Sequence, residues 1–254
     1  MDGLEDFVSF LDRLYSKWSV QVDFEKLREE PPVEYMAQVL WLIFGIYTAK
    51  YRELTSSVIQ ATNDKTFLVF ALCGRAIIET TATLRYYNNK FLGQIRTAKD
   101  PDAFDADEIK SIIELLDTHS RGGRFNWAMF LTSPRSDMVK HLVDAGKNKI
   151  KGSQTNPEQI NVKTTISKWA KDQPEVLLAY DFFCELVHPN LGSNFMMMGY
   201  KDTSVEVCGT TEKALARSIA IEGIQFLAPV IKEAQLCQVN LLGWAASIKQ
   251  EPKF

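Results

Sequence analysis

Residues 65–87 read KTFLVFALCGRAIIETTATLRYY, an apolar run whose spacing predicts one long helix. The pair Asn63-Asp64 lies before it and supplies side chains of the kind that cap helix N-termini. The pair Asn88-Asn89 follows it, and asparagine is common just after the last turn of a helix. We therefore predict that this helix begins at Lys65, ends at Tyr87 and packs in a helical bundle.

Five other segments place apolar residues three or four apart and predict further helices: residues 4–18, 33–61, 109–116, 174–187 and 211–249. Asp105 and Glu108 form a capping-box pattern at the start of the third segment, with aspartate in place of serine. Pro229 lies inside the last segment and predicts a kink there, because proline cannot donate the helical hydrogen bond.

The pattern changes before the last helix. Residues 195–200 and 204–208 are mostly apolar, and the polar break at 201–203 between them predicts a small β-hairpin. The predicted fold class is all-α: a helical bundle with this hairpin inserted before the final helix. We expect a single domain over residues 1–254, in which residues 30–93 and 170–249 form the core of the bundle and residues 94–169 form an irregular insert.

Composition limits the class of protein. A formal net charge of −3 gives no global basic surface for nucleic acid, although a local basic pocket is compatible with it. The four cysteines form no C-x-x-C pair and are expected to be reduced thiols, so no metal and no cofactor are predicted. The N-terminus is acidic where a signal peptide is basic, and the most apolar run, residues 39–47, is shorter than a membrane span. We therefore predict a cytoplasmic protein with no membrane partner.

The helix at 174–187 carries a polar stripe on an otherwise apolar surface. Asp181, Glu185 and His188 fall at positions i, i+4 and i+7, which places them on one face. Two interpretations stay open: the stripe is a solvated edge with His188 as a helix cap, or His188 acts on a ligand, since the imidazole pKa suits proton transfer. His119 and His141, the other histidines, are expected on the surface.

Arg75 lies in the most apolar part of the 65–87 helix and therefore needs an anion. Glu79 lies one turn later on the same helix, and Glu185 lies on the polar stripe of the later helix. We expect Arg75 to form a buried ion pair with one of these carboxylates, adjacent to His188 and bridging the two helices. The alternative is that Arg75 points at a phosphate beside His188, and Gly74 allows close helix approach in either case.

The two segments together resemble a known group of proteins. The R-x-x-x-E pattern of Arg75 and Glu79, followed later by Tyr180 and the E-x-x-H-P-N pattern of residues 185–190, resembles the HEPN-like helical bacterial proteins. This resemblance implies a helical bundle that forms a homodimer. It also implies either a metal-independent ribonuclease of a bacterial defence or toxin–antitoxin system, or a binding module that has lost catalysis.

The family's catalytic signature is an arginine and a histidine on one helix, with four to six residues between them. Here those positions hold Asp181, Phe182 and Phe183, so only His188 carries over from the signature. Arg75 is our own candidate for the missing cation.

Two functions follow from the resemblance. In an RNA-directed protein, His188 and Arg75 would be catalytic: His188 would move the proton of a ribose 2′-hydroxyl, and Arg75 would stabilise charge on the phosphorane oxygens. Four other residues would bind substrate or fix Arg75: Asn190, Glu79, Glu185 and Tyr180.

The alternative is a non-catalytic interaction module that dimerises or binds a protein partner from the same system. The last helix, residues 211–249, has apolar side chains on more than one face and is expected to lie partly at a self-interface.

Overall fold

The computed structural model describes residues 2–17, 32–97, 105–121, 140, 160–188, 193–194, 198–201, 204–207 and 213–247. Within these ranges the protein is all-α apart from two short strands. Its elements are, in chain order, α1 (Asp2–Lys17), α2 (Pro32–Asp64), α3 (Phe67–Thr97), α4 (Ala106–Arg121), α5 (Val162–Trp169), α6 (Glu175–Val187), β1 (Met198–Lys201), β2 (Ser204–Val207) and α7 (Lys213–Ser247).

Helix α3 is the centre of the bundle. It packs against α2, α4, α5, α6 and α7, while α1 covers α2 and the side of α7. Phe70, Ile77 and Leu84 are buried along its inner face. Each side chain of this size contributes roughly 1.5–3 kcal/mol when it is fully removed from water, so α3 anchors the core.

Helix α3 is also the one described helix that is long and apolar enough, over Phe67–Gln94, to cross a membrane. More than half of its most apolar stretch is buried inside the protein. The five helices that pack around α3 cover this apolar surface, as expected for a helix in the core of a folded domain.

The turn between α2 and α3 lies later than predicted. Helix α2 continues through Asn63-Asp64, and Lys65 then adopts a left-handed backbone conformation with φ of 58°. The amide of Thr66 donates to the carbonyl of Ala61 at 2.9 Å, which closes a Schellman-type helix end. The prediction that Asn63-Asp64 caps the N-terminus of the next helix is therefore wrong, because these residues still belong to α2.

The end of α3 also differs from the prediction. The helix does not stop at Asn88 but continues to Thr97. Asn88 is buried, and the ring of Phe91, one turn later, packs edge-on against Trp244 of α7 at 6.0 Å between centroids. Burial of this extra turn against α7 outweighs the weak local preference of asparagine to end a helix.

The described parts of residues 94–169 hold the end of α3 and the two helices α4 and α5, and most of the predicted irregular segment lies outside the described residues. Asp105 accepts hydrogen bonds from the amides of Asp107 and Glu108 at 3.0 and 2.9 Å, and its own amide donates to the Glu108 carboxylate, so the predicted capping box is present. Asn161 caps α5 in the same way through the amide of Lys163. Helices α4 and α5 bury Leu116 and Trp169 in the core, because their apolar faces pack on α2 and α3.

Strands β1 and β2 pair antiparallel, with Met198 opposite Val207 and Lys201 opposite Ser204. Residues 202–203, on which the predicted hairpin turn falls, lie outside the described residues. Helix α7 follows and runs unbroken through Pro229 from Lys213 to Ser247.

Candidate functional site

Three residues of the two sequence motifs meet where α3 crosses α6. The Nε of Arg75 donates to Oε1 of Glu79 at 2.8 Å, within α3. The hydroxyl of Tyr180, on α6, donates to the same Glu79 oxygen at 3.3 Å and accepts from Nη2 of Arg75 at 3.5 Å. The guanidinium carbon of Arg75 also lies 5.6 Å from the centre of the Tyr180 ring, a cation–π distance. We call these three residues the Arg75 cluster.

Gly74 is the reason that Tyr180 can reach Arg75. A Cβ atom at Gly74 would lie 2.4 Å from the ring of Phe183, which is far inside van der Waals contact. Glycine therefore lets α3 and α6 approach closely at this point, as the sequence predicted. Gly223 does the same for α7, where a Cβ would lie 2.5 Å from the ring of Phe70.

The helices α3 and α6 run antiparallel. Gly74 and Arg75 of α3 meet Phe183 and Tyr180 of α6, whereas Arg85, ten residues later on α3, pairs with Asp172, just before α6. The N-terminal end of α3 therefore lies toward the C-terminal end of α6.

The Arg75–Glu79 pair is partly exposed rather than buried, with about 30% of each side chain open to solvent. The pair lies near the rim of the α3–α6 crossing and not beneath the crossing, so solvent reaches both side chains. The hydrogen bond to Glu79 raises the pKa of Arg75, so the guanidinium stays charged. Burial, together with a hydrogen bond to Cys184, raises the pKa of Tyr180 to about 12, which keeps its hydroxyl protonated and able to donate.

A second cation approaches Glu79 from α2. Burial lowers the pKa of Lys50, and the negative charge of Glu79 partly offsets this effect. Glu79 therefore interacts electrostatically with Lys50 of α2 as well as with Arg75.

His188 lies apart from this cluster. It caps the C-terminus of α6 with an extended backbone; its amide donates to the Cys184 carbonyl at 2.9 Å, and its carbonyl accepts from the Ser193 hydroxyl. Its side chain is exposed. His188 follows Tyr180 by eight residues, which is about 12 Å along the axis of an α-helix.

The expected ion pair adjacent to His188 is therefore only partly realised. Arg75 pairs with Glu79, and it reaches α6 through Tyr180, about two turns before His188. Glu185 is exposed on α6 and is not the carboxylate that holds Arg75 in the described structure. The i, i+4 spacing within one helix makes Glu79 the nearer partner. Asn190 lies outside the described residues.

Exposed leucines extend the Arg75 cluster along both helices. Leu68 and Leu72 precede Arg75 at helical spacing on α3, and 45% and 48% of their surface is exposed. Leu177 precedes Tyr180 by three residues on α6 and is exposed to a similar degree. We call this surface, formed by Leu68, Leu72, Arg75, Glu79, Leu177 and Tyr180, the α3–α6 face.

A second polar cluster, which the sequence analysis missed, lies deeper in the bundle. Arg85 of α3 forms ion pairs with Glu233 of α7 at 2.9 Å and with Asp172 at 2.7 Å. Its guanidinium lies 5.8 Å from the centre of the Trp169 ring. The sequence indicated only that Arg85, like Arg75, lies in an apolar helix and needs an anion. It did not indicate which one, because the partners of Arg85 are remote in sequence. This cluster ties α3, α5 and α7 together.

His119 is half-buried among aromatic rings, whereas the prediction placed it on the surface. Its ring stacks on Tyr47 at 5.6 Å and lies 4.0 Å from the centre of the Tyr87 ring. Burial lowers the pKa of His119 to about 3, so the imidazole is neutral in the folded protein near pH 7. The apolar positions of α4 gave no sign of this, because the aromatic partners come from α2 and α3. His141 lies outside the described residues.

A search of the described residues finds no group of three or more histidine, cysteine or acidic side chains placed to hold a metal ion. Comparison of the chain with protein-family models, with curated proteins and with solved structures finds no match.

Proposed function

We propose that this protein is a non-catalytic helical interaction module of the HEPN-like type, and that it forms a homodimer through the α3–α6 face. One observation carries the proposal. Arg75 is engaged by Glu79 and Tyr180 beside exposed leucines, and not by His188.

The composition of the α3–α6 face supports binding to a protein. Arg75 is the residue type that contributes most often to protein interfaces; the buried Tyr180 holds it in place, and exposed aliphatic side chains surround it. Because a little under half of each leucine is exposed, full coverage by a partner contributes roughly 0.7–1.4 kcal/mol for each of them.

A second copy of the chain is the partner that fits the charges. Arg75 and Glu79 lie one turn apart on one helix, so a two-fold axis between them places Arg75 of one copy opposite Glu79 of the other. An interface of this kind adds an Arg75–Glu79 attraction between the two copies on each side of the axis, whereas a partner of one charge attracts one member of the pair and repels the other.

Sedimentation equilibrium tests the dimer. We expect the wild type to associate at micromolar concentration and Leu72→Glu to be monomeric, because it puts a carboxylate among the apolar side chains of the face. Leu236→Glu is the matched control, since Leu236 is equally exposed but lies on α7. A monomeric wild type contradicts the proposal. A Leu236→Glu variant that dissociates while Leu72→Glu stays dimeric moves the self-interface to the last helix, where the sequence analysis expected part of it.

An RNA-directed function is the second candidate. The exposure of His188 at the end of α6 favours it, since a ribose 2′-hydroxyl has access to the ring there. Catalysis would require Arg75 to leave Glu79 and approach the His188 end of the same two helices. Under this proposal His188 moves the proton, Arg75 stabilises the phosphorane, and Asn190 and Tyr180 orient the substrate.

Incubation of single-stranded RNA with the protein in a metal chelator separates the two candidates. The interaction module predicts no cleavage by the wild type. Cleavage that His188→Ala abolishes, with an unchanged melting temperature, supports the ribonuclease instead. A role in a defence or toxin–antitoxin system and a protein partner from that system are proposals that follow from the HEPN-like resemblance, and a cytoplasmic location is a proposal that rests on the acidic N-terminus and the short apolar runs.

A further inference from the structure

A groove of about 620 Å³ lies between the end of α2 and the first half of α7. Its apolar wall is formed by Ile221 and Ile224 of α7, with Ala220 between them. Two cations lie along it: Lys65 from the turn after α2 and Arg217 from α7. The volume is within the range of about 300–1,000 Å³ that is typical of small-molecule sites.

The charges of this groove are of one sign. Among the described residues that line it, the ionisable ones are Lys65 and Arg217, and the neutral polar ones are Thr62 and Gln225. Two cations that face the same space repel each other, and an anion between them removes this repulsion. The isoleucines favour an apolar body on the same ligand, because Ile221 is otherwise largely exposed to water.

The backbone conformation of Lys65 allows a test of whether its side chain binds an anion. Its φ of 58° is a conformation that costs an ordinary L-residue about 1–2 kcal/mol relative to glycine. Glycine is the residue that a helix end of this type usually has. A glycine substitution at this position therefore removes the cation without threatening the fold.

We propose that this groove binds an organic anion with an apolar body, such as an aliphatic or aromatic carboxylate or sulfonate. Arg217 and Lys65 bind the acidic group, Gln225 and Thr62 offer neutral hydrogen bonds, and the apolar body lies on Ile221 and Ile224. This site is independent of the proposed dimer, because it uses none of the residues of the α3–α6 face.

The probe for the test is 1-anilinonaphthalene-8-sulfonate, an aromatic sulfonate whose fluorescence rises in apolar surroundings. We expect one molecule to bind per chain, and decanoate to displace it. Arg217→Gln should weaken its affinity about tenfold, as loss of a charge-assisted hydrogen bond does. Lys65→Gly should weaken it several-fold while the melting temperature stays the same or rises, so unfolding cannot explain the loss.

An uncharged probe of nearly the same shape, N-phenyl-1-naphthylamine, is the matched control. Its affinity should be equal in wild type, Arg217→Gln and Lys65→Gly, because it has no acidic group. Ala220→Phe, which fills the groove and leaves both cations, should weaken both probes. Equal affinity of the sulfonate for the wild type and the Arg217→Gln/Lys65→Gly double variant would overturn the proposal, and so would an equal loss of both probes in that variant.

Discussion

At the scale of single residues, the two arginines of α3 differ in how much each holds the fold. Arg75 pairs with a carboxylate of its own helix near the surface, whereas Arg85 joins α3 to α7 with both side chains largely buried. Exposed i, i+4 pairs are worth little, because solvent screens them and the partner is satisfied by water when the pair is broken.

We expect Arg75→Ala to lower the free energy of unfolding by about 1 kcal/mol or less. We expect Arg85→Ala to lower it by roughly 2–4 kcal/mol, because it leaves the Glu233 carboxylate without its cation in the bundle. Urea unfolding of both variants measures the difference. An Arg75→Ala variant that is as unstable as Arg85→Ala would show that the Arg75 cluster is a structural element instead of a surface feature.

Replacement of Lys65 by glycine is expected to raise the free energy of unfolding, whereas the two arginine variants lower it. Lys65→Gly relieves the left-handed backbone but adds freedom to the unfolded chain, so we expect a net gain of about 0.5–1 kcal/mol. Lys65→Ala keeps the Cβ atom and should leave stability nearly unchanged. The same urea experiment applies, and equal stability of the glycine and alanine variants would contradict the role given to the backbone.

At the scale of elements, two glycines of α3 form a matched pair. A Cβ at Gly74 would collide with Phe183, whereas a Cβ at Gly93 would have no atom within 4 Å outside its own helix backbone and chain neighbours. We expect Gly74→Ala to destabilise the protein by about 1–3 kcal/mol, because it forces α3 and α6 apart. Gly93→Ala should be neutral or stabilise by up to about 1 kcal/mol through helix propensity. Thermal unfolding of the two variants decides, and a neutral Gly74→Ala would mean that the Phe183 ring moves aside freely.

The helices also show which features of the fold can be predicted from the sequence. The positions of the six longer helices follow from periodicity, and the capping box at Asp105 is a local hydrogen-bond pattern, so both could be predicted, whereas the eight-residue helix α5 was not. The end of α3 could not, because Asn88 and Phe91 are held by α7, which is remote in sequence. The pairing of Arg75 with Glu79 needs only helical spacing, whereas the contact with Tyr180 needs the antiparallel crossing of α3 and α6.

At the scale of the whole molecule, His119 couples folding to pH. Its pKa is lowered to about 3 in the folded protein and is about 6.5 in an unfolded chain, so the unfolded state binds more protons between these values. Stability therefore falls as the pH falls from 6.5 toward 3, by up to about 1.4 kcal/mol for each pH unit.

Replacement of His119 by phenylalanine keeps an aromatic ring between Tyr47 and Tyr87 and removes the titrating group. We expect the melting temperature of His119→Phe to fall less than that of the wild type between pH 6.5 and pH 4. Tyr47→Phe, which leaves the imidazole, is the control and should keep the acid sensitivity. Parallel melting curves of wild type and His119→Phe across this range would show that His119 is not the group responsible.

The central position of α3 has a consequence for synthesis of the chain on the ribosome. Helix α3 ends at Thr97, but α7, which covers one of its sides, ends only at Ser247, 150 residues later. At about 5–20 residues per second, this interval is on the order of 10–30 s. During that time the nascent chain presents α3 without the helix that covers one of its sides, and it needs either a chaperone or transient contact with α1 and α2 to avoid aggregation.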